Sequence, residues 1–213
     1  MHVVGRPLRG VGFAATILVC LTVAARAHPH MWVTVETTVL LDKGNLTAVQ
    51  HKWTFDESYT MTALEGWNKN HQGDYDSKQL AELAKVNIDG LKEFGYFTYI
   101  VLGDMAVKLG EPQKYWLEYK NGVLSLIFTL PFAQPIAPSR SKDLTILVLD
   151  PTYFIAFEFA KANPVRLAQG APKSCKVTIA ELAEGSAEAR RLSKVFDELG
   201  PGLGYTQISS ISC

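Results

Sequence analysis

Residues 31–41, MWVTVETTVLL, alternate apolar and polar side chains and are rich in Val and Thr. Residues 46–56, LTAVQHKWTFD, do the same, and DKGN lies between them. A period of two marks a half-buried strand, and Asp, Gly and Asn are turn formers. These 26 residues therefore read as a β-hairpin that needs a partner layer for its apolar face. A two-residue loop at Lys43-Gly44 would set Val33, Val35 and Val39 against Thr54, Lys52 and Ala48, a mixed face. A three-residue loop, Lys43-Gly44-Asn45, shifts the pairing by one. Val33 then faces Phe55, Val35 faces Trp53 and Val39 faces Val49, while Glu36 meets Lys52 and Thr34 meets Thr54. One apolar face and two favourable cross-strand pairs favour the second register.

The rest of the chain is read against this hairpin. Helices are expected over 57–68 and over 77–93, the second with Ser77 as its N-cap. Strands are expected over 96–102 and 143–160, the latter broken at Asp150-Pro151-Thr152, and over 175–180. Residues 114–130 turn about Asn121-Gly122, the strongest short hairpin signal in the chain. PFAQPIAPS (131–139) reads as a Pro-rich loop, and 187–199 as a short amphipathic helix. The order implies an α+β fold: a mostly antiparallel sheet or sandwich, a two-helix insertion after the first hairpin, and a short C-terminal helix.

The first residues belong to another class. Arg6 and Arg9 precede VGFAATILVCLTVAA, and Ala25-Arg26-Ala27 follows. A basic start, an apolar run of about 15 residues and a small-x-small triplet make residues 1–27 a cleavable signal peptide. The expected mature chain is one periplasmic domain over 28–213, with no membrane insertion after cleavage. Removing Arg6, Arg9 and Arg26 from a chain with 21 basic and 21 acidic residues leaves a slight acidic excess, so nucleic acid is not an expected partner. Cys20 leaves with the leader. Cys175 and Cys213 remain, an even pair that reads as one disulfide in an oxidising compartment. Metal ligation by the two thiolates has no Cys-x-x-Cys spacing behind it.

Cleavage after Ala27 would start the mature chain with His28-Pro29-His30. The free α-amine and the Nδ1 of His28 can chelate one metal, and His30 can add a second imidazole. Pro29 has no N–H, which blocks the amine–amide–amide–His chelate of an X-X-His terminus. The hairpin register puts Ser58 opposite His30 and Asp56 diagonal to it, so His28, His30 and Asp56 form a candidate N,N,O set for a divalent transition metal (zinc, nickel or copper). Glu57 joins only if a helix starting there swings it back. His51 falls on the apolar face and reads as a core or edge histidine.

A second candidate is NKNHQGDYDSKQ, 68–79, which has the outline of an EF-hand loop. Asn68, Asn70, Gln72, Asp74 and Asp76 occupy its odd positions and Gly73 the sixth. Amides replace carboxylates at the first three, and Gln79 replaces the bidentate Glu, so a structural turn is expected and calcium is not. G-x-S-x-G, H-E-x-x-H, P-loop and dinucleotide fingerprints are missing, and nothing in the sequence demands an enzyme.

Taken in order, AHPHMWV after the leader, WTFDESYT, the helix–loop–helix, YFT and LDPTYFIAF resemble a family of bacterial periplasmic proteins of formally unknown function. The ZevA-like zinc-acquisition proteins are among its members, often labelled as the periplasmic component of a transport system. The resemblance implies a NicO/RcnA-like membrane permease as partner, and His28-Pro29-His30 and Phe55-Asp56-Glu57 as shared segments. The expected function is that of a non-enzymatic periplasmic accessory protein binding zinc or nickel for that permease. The alternatives are a copper-brace oxidase built on His28 and a metal-free adaptor that docks on the permease.

Overall fold

A computed structural model describes residues 29–139, 141–199, 203 and 206–213. The expected signal peptide (1–27) and His28 lie outside the described residues. The first hairpin joins β1 (Met31–Asp42) to β2 (Asn45–Phe55). Its register is the expected one: Val33 pairs with Phe55, Val35 with Trp53, Glu36 with Lys52 and Val39 with Val49. The loop is not. Lys43 and Gly44 alone form the turn, with φ of 48° and 81°, the left-handed pair of a type I′ turn. The register is restored by a bulge: Leu41 pairs with Leu46 but Leu40 with Ala48, which leaves Thr47 over. The apolar match along the strands decides the pairing, and the turn accommodates it.

Two helices follow, α1 (Glu57–Ala63) and α2 (Ser77–Leu91). The first is shorter than expected. Leu64 leaves the helical region and Gly66 is left-handed, at φ 79°, so the chain turns before Trp67. The N-cap of α2 is Asp76 rather than Ser77, since the Asp76 carboxylate accepts from the backbone N–H groups of Lys78 and Gln79. A 3-10 segment, Lys92–Phe97, takes the place of the start of the expected strand, and β3 (Thr98–Leu102) begins after it. Then come β4 (Met105–Ala106), β5 (Tyr115–Lys120) and β6 (Val123–Ile136), the last two joined at left-handed Asn121 and Gly122. The Pro-rich stretch is no loop through residue 136. Ala133 donates to Lys108 O and Pro131 O accepts from Gly110, so the two prolines are carried in a paired strand. The chain ends with β7 (Leu144–Val148), β8 (Ile155–Phe159), β9 (Val165–Leu167), β10 (Lys176–Leu182), α3 (Ala187–Val195) and β11 (Thr206–Ser212).

These strands form two sheets. The first runs β5-β6-β2-β1-β8, with β9 also beside β1, and the second runs β10-β11-β7-β3-β4. Pairing is antiparallel apart from β8 and β9, which lie parallel to β1. The turn at Asp150 therefore carries the chain from one sheet to the other. The sheets share a core that includes Val35, Trp53, Leu126 and Phe128 from the first and Ile100, Ile146 and Ile211 from the second. Leu64, Ala84 and Ile88 of the helical insertion join the same cluster beside Leu117 and Leu124. On the other face of the second sheet, α3 packs Ala189 and Leu192 against Val101, Leu147 and Ile208. The fold is the expected α+β sandwich with a two-helix insertion and a short helix near the C-terminus. The two cysteines are bonded, Cys175 just before β10 to Cys213 just after β11.

Candidate functional site at the start of the first strand

Beyond Val33 and Phe55 the two strands of the hairpin part, and the side chain of Asp56 takes over the pairing. The backbone N–H of Asp56 donates to Trp32 O at 3.1 Å, and its carboxylate accepts from Trp32 N at 2.7 Å. The other carboxylate oxygen accepts from Tyr59 N at 2.8 Å and caps α1. Asp56 thus bridges a strand and a helix through two otherwise unsatisfied backbone donors. Glu57, exposed in the first turn of α1, complements the helix dipole.

Ser58 lies within α1, so it is not the strand partner of His30 that the extrapolated register gives it. His30 is held from the opposite side. Its backbone N–H donates to Phe154 O at 2.9 Å, and its exposed ring tilts over the Phe154 ring with centroids 4.9 Å apart. Parallel pairing of Met31 with Ile155 brings Phe154 there. Asp150 fixes this second partner: its carboxylate accepts from Thr152 N at 2.8 Å, Thr152 Oγ1 at 2.7 Å and Ile155 N at 3.0 Å. An Asp-x-Thr turn of this kind is visible in LDPTYF, and it is the signal that would have found Asp150. Phe154 announces itself by no spacing at all.

Among the described residues, no three His, Cys, Asp or Glu side chains are grouped to hold a metal ion. Of the candidate ligands, Asp56 and Glu57 are consecutive at the start of α1 and His30 lies across Trp32 from them. The α-amine and imidazole of His28 fall outside this geometry. In the second candidate loop, Asn70 Oδ1 accepts from Gln72 N and Asp74 N, both at 2.9 Å, and Asp76 caps α2. Gly73 is left-handed at φ 87°. Those side-chain oxygens tie the loop to itself as a turn. Lys69 pins the loop to β5, with its ammonium 2.9 Å from the Tyr119 hydroxyl and 5.4 Å from the Tyr75 ring centre.

Beside His30 and Asp56 opens a groove of about 630 Å³, walled by α1, α2, the 3-10 segment and the 152–155 turn. In its wall the Tyr59 hydroxyl donates to Asn87 Oδ1 at 2.8 Å, and Asn87 Nδ2 donates to Leu83 O at 2.9 Å. Burial pushes the Tyr59 phenol above its ordinary value, against a smaller opposing effect of the Asn87 hydrogen bond, so it stays protonated. Among the described residues, no helix is long and apolar enough to cross a membrane.

His51 is remote from this site and fully buried, as its place on the apolar face implied. Its Nδ1 lies 2.9 Å from Thr37 Oγ1 and its Nε2 3.3 Å from Thr98 Oγ1, so the ring spans the two sheets.

Two similar proteins are uncharacterised. A protein of Haemophilus influenzae is 26% identical over 147 residues, which cover 65% of this chain and 66% of that protein. An uncharacterised 15.5 kDa protein in the trpE 3′ region of Spirochaeta aurantia is 30% identical over 98 residues, 46% of this chain and 69% of that protein. A family model, described as a protein of unknown function (DUF1007), matches residues 13–205. The match takes in the first sheet, the second sheet apart from β11, the helical insertion and the His30–Asp56 corner, and the chain belongs to the DUF1007 family.

Proposed function

We propose that the protein is an exported, periplasmic accessory protein that binds a divalent transition metal at its mature N-terminus for a membrane permease. Zinc or nickel is the expected cargo. The ligands are the α-amine and imidazole of His28 and the imidazole of His30, with Glu57 or a free lone pair of Asp56 within the same corner of the fold. The observation that carries this reading is the position of His30, whose main chain is pinned to Phe154 while its ring is exposed. A pinned, exposed imidazole next to a chain terminus suits ligand exchange better than a closed cage does. The disulfide supports an oxidising compartment. The resemblance of AHPHMWV and WTFDESYT to ZevA-like proteins supports a NicO/RcnA-like permease as the partner. No reaction is needed for this role, and the protein is read as a carrier.

Calorimetric titration of the exported, processed protein with zinc, nickel and copper tests the reading. The His28→Ala, His30→Ala double variant is expected to lose most of the affinity for the bound metal. Equal affinity in the variant and the parent overturns it. Nitrogen-rich type-2 copper features together with copper-dependent turnover would move the assignment to an oxidase.

A further inference from the structure

We propose that the groove between α1, α2 and the 152–155 turn is a binding site for a small, uncharged, largely apolar organic molecule that carries one hydroxyl or amide. The proposal is independent of metal binding and rests on what the chain gives up to keep this groove.

The first cost lies in α2. Gly90 faces the groove within a continuous helical run, where glycine is about 1 kcal/mol worse than alanine. A Cβ at Gly90 would meet nothing within 4 Å, so neither packing nor a left-handed backbone calls for glycine. All that a side chain there would take is space in the groove.

The second cost is backbone strain in the walls. Gly95, Tyr96 and Phe97 are left-handed in succession, at φ 57°, 56° and 46°. For Tyr and Phe this conformation costs about 1–2 kcal/mol each, and such strain collects at binding sites. It turns Phe97 into the groove wall, where Phe94 stacks on it at 5.1 Å and 12°. Tyr153, in the facing turn, is left-handed as well, at φ 59°. The third cost is apolar surface in water: Val86, Phe94 and Phe154 at the rim are 67%, 48% and 55% exposed.

The lining defines the ligand. A volume of about 630 Å³ falls in the small-molecule range. Only two lining residues ionise: Tyr59 is held protonated, and the Asp150 carboxylate is already taken up by three donors of its own turn. An anionic ligand would be buried without a counter-ion, and a cation would have to compete with those three donors for the one carboxylate. The Tyr59 oxygen can still accept one hydrogen bond, and Asn87 Nδ2 has a second N–H to give. One hydroxyl or amide on an apolar body answers both.

N-phenyl-1-naphthylamine, a neutral apolar fluorophore with one N–H, is the probe. Metal-free, full mature chain is expected to bind one equivalent saturably. Gly90→Leu is expected to weaken binding by about tenfold or more while the melting temperature holds or rises. Tyr59→Phe should weaken it by about threefold. If Gly90→Leu does not fold, Gly90→Ala, whose methyl meets nothing, should stabilise the protein and still reduce affinity. No saturable binding, or binding that neither Gly90 variant reduces, overturns the proposal. Rim-only binding that survives Gly90→Leu would mark the face as a protein-docking surface instead.

Discussion

The Thr37 hydroxyl lies 2.9 Å from His51 Nδ1 at the centre of the sandwich, and the two residues are cross-strand partners in the first hairpin. Because Thr98 Oγ1 donates to Tyr96 O, it accepts from His51 Nε2–H. The tautomer follows: Nε2 carries the proton and Nδ1 accepts from Thr37. The histidine is neutral, satisfied on both sides, and ties one sheet to the other.

Burial lowers the His51 pKa from 6.5 to about 3. Between those values the unfolded chain takes up a proton that the folded chain refuses, so stability falls as pH drops from 6.5 toward 3. At pH 4.5 the expected loss relative to pH 7 is about 2–3 kcal/mol from this residue. Urea denaturation of the parent and of His51→Gln at both pH values checks it. The variant starts less stable at pH 7 but should lose less on acidification, and equal losses would refute the assignment.

Asp56 joins β1 to α1 through Trp32 N and Tyr59 N. Asp56→Ala removes a helix cap and leaves a strand-end donor unpaired, at an expected cost of about 1–3 kcal/mol. Asp56→Asn keeps an acceptor oxygen and should cost less. Denaturant midpoints measured at constant m-value distinguish the two. An Ala variant as stable as the parent would remove Asp56 from this structural role.

Lys43 occupies a left-handed position, φ 48°, in a turn that favours Asn and Gly. Lys43→Asn should stabilise the hairpin by about 0.5–1 kcal/mol, while Gly44→Val, at φ 81°, should destabilise it by more. Thermal melts of the two variants should shift in opposite directions.

The Cys175–Cys213 bond closes a sequence separation of 38 residues across the β10–β11 ladder. Its loss, by reduction or by Cys175→Ser with Cys213→Ser, should cost about 3–4 kcal/mol. Hydrogen exchange should rise first at Lys176–Leu182, an edge strand held by β11 alone within its sheet.

The first hairpin was legible down to its register because one buried face imposes a period of two on local sequence. Its turn was not, because the bulge at Thr47 adds a residue without changing the apolar pattern. The strand β11 escaped for the opposite reason. Ile208 faces α3 and Ile211 faces the sandwich core, with a fully buried Ser209 between, so a strand covered on both faces shows no alternation. The His30 corner depended on parallel pairing of β1 with β8, across more than 120 residues of sequence, and no local period encodes it. The carboxylate of Asp56 is evident in the sequence, but its two backbone contacts follow only from the entry geometry of α1.

Both sheets are completed only by strands from late in the chain. The first strand, β1, gains its second neighbour only when residues 155–167 arrive, and β11, from the last residues, slots between β10 and β7. A chain emerging N-terminus first can pair the β1-β2 and β5-β6 hairpins through β2 and β6 early, but with one flank of β1 open and the second sheet lacking an inner strand. Such a half-built intermediate presents an unpaired edge that would recruit neighbouring chains. Completion waits for distant segments to meet, which belongs to the slower, high-contact-order class of folding reactions. This protein is therefore expected to need an escort, or dilution, during its assembly far more than after it.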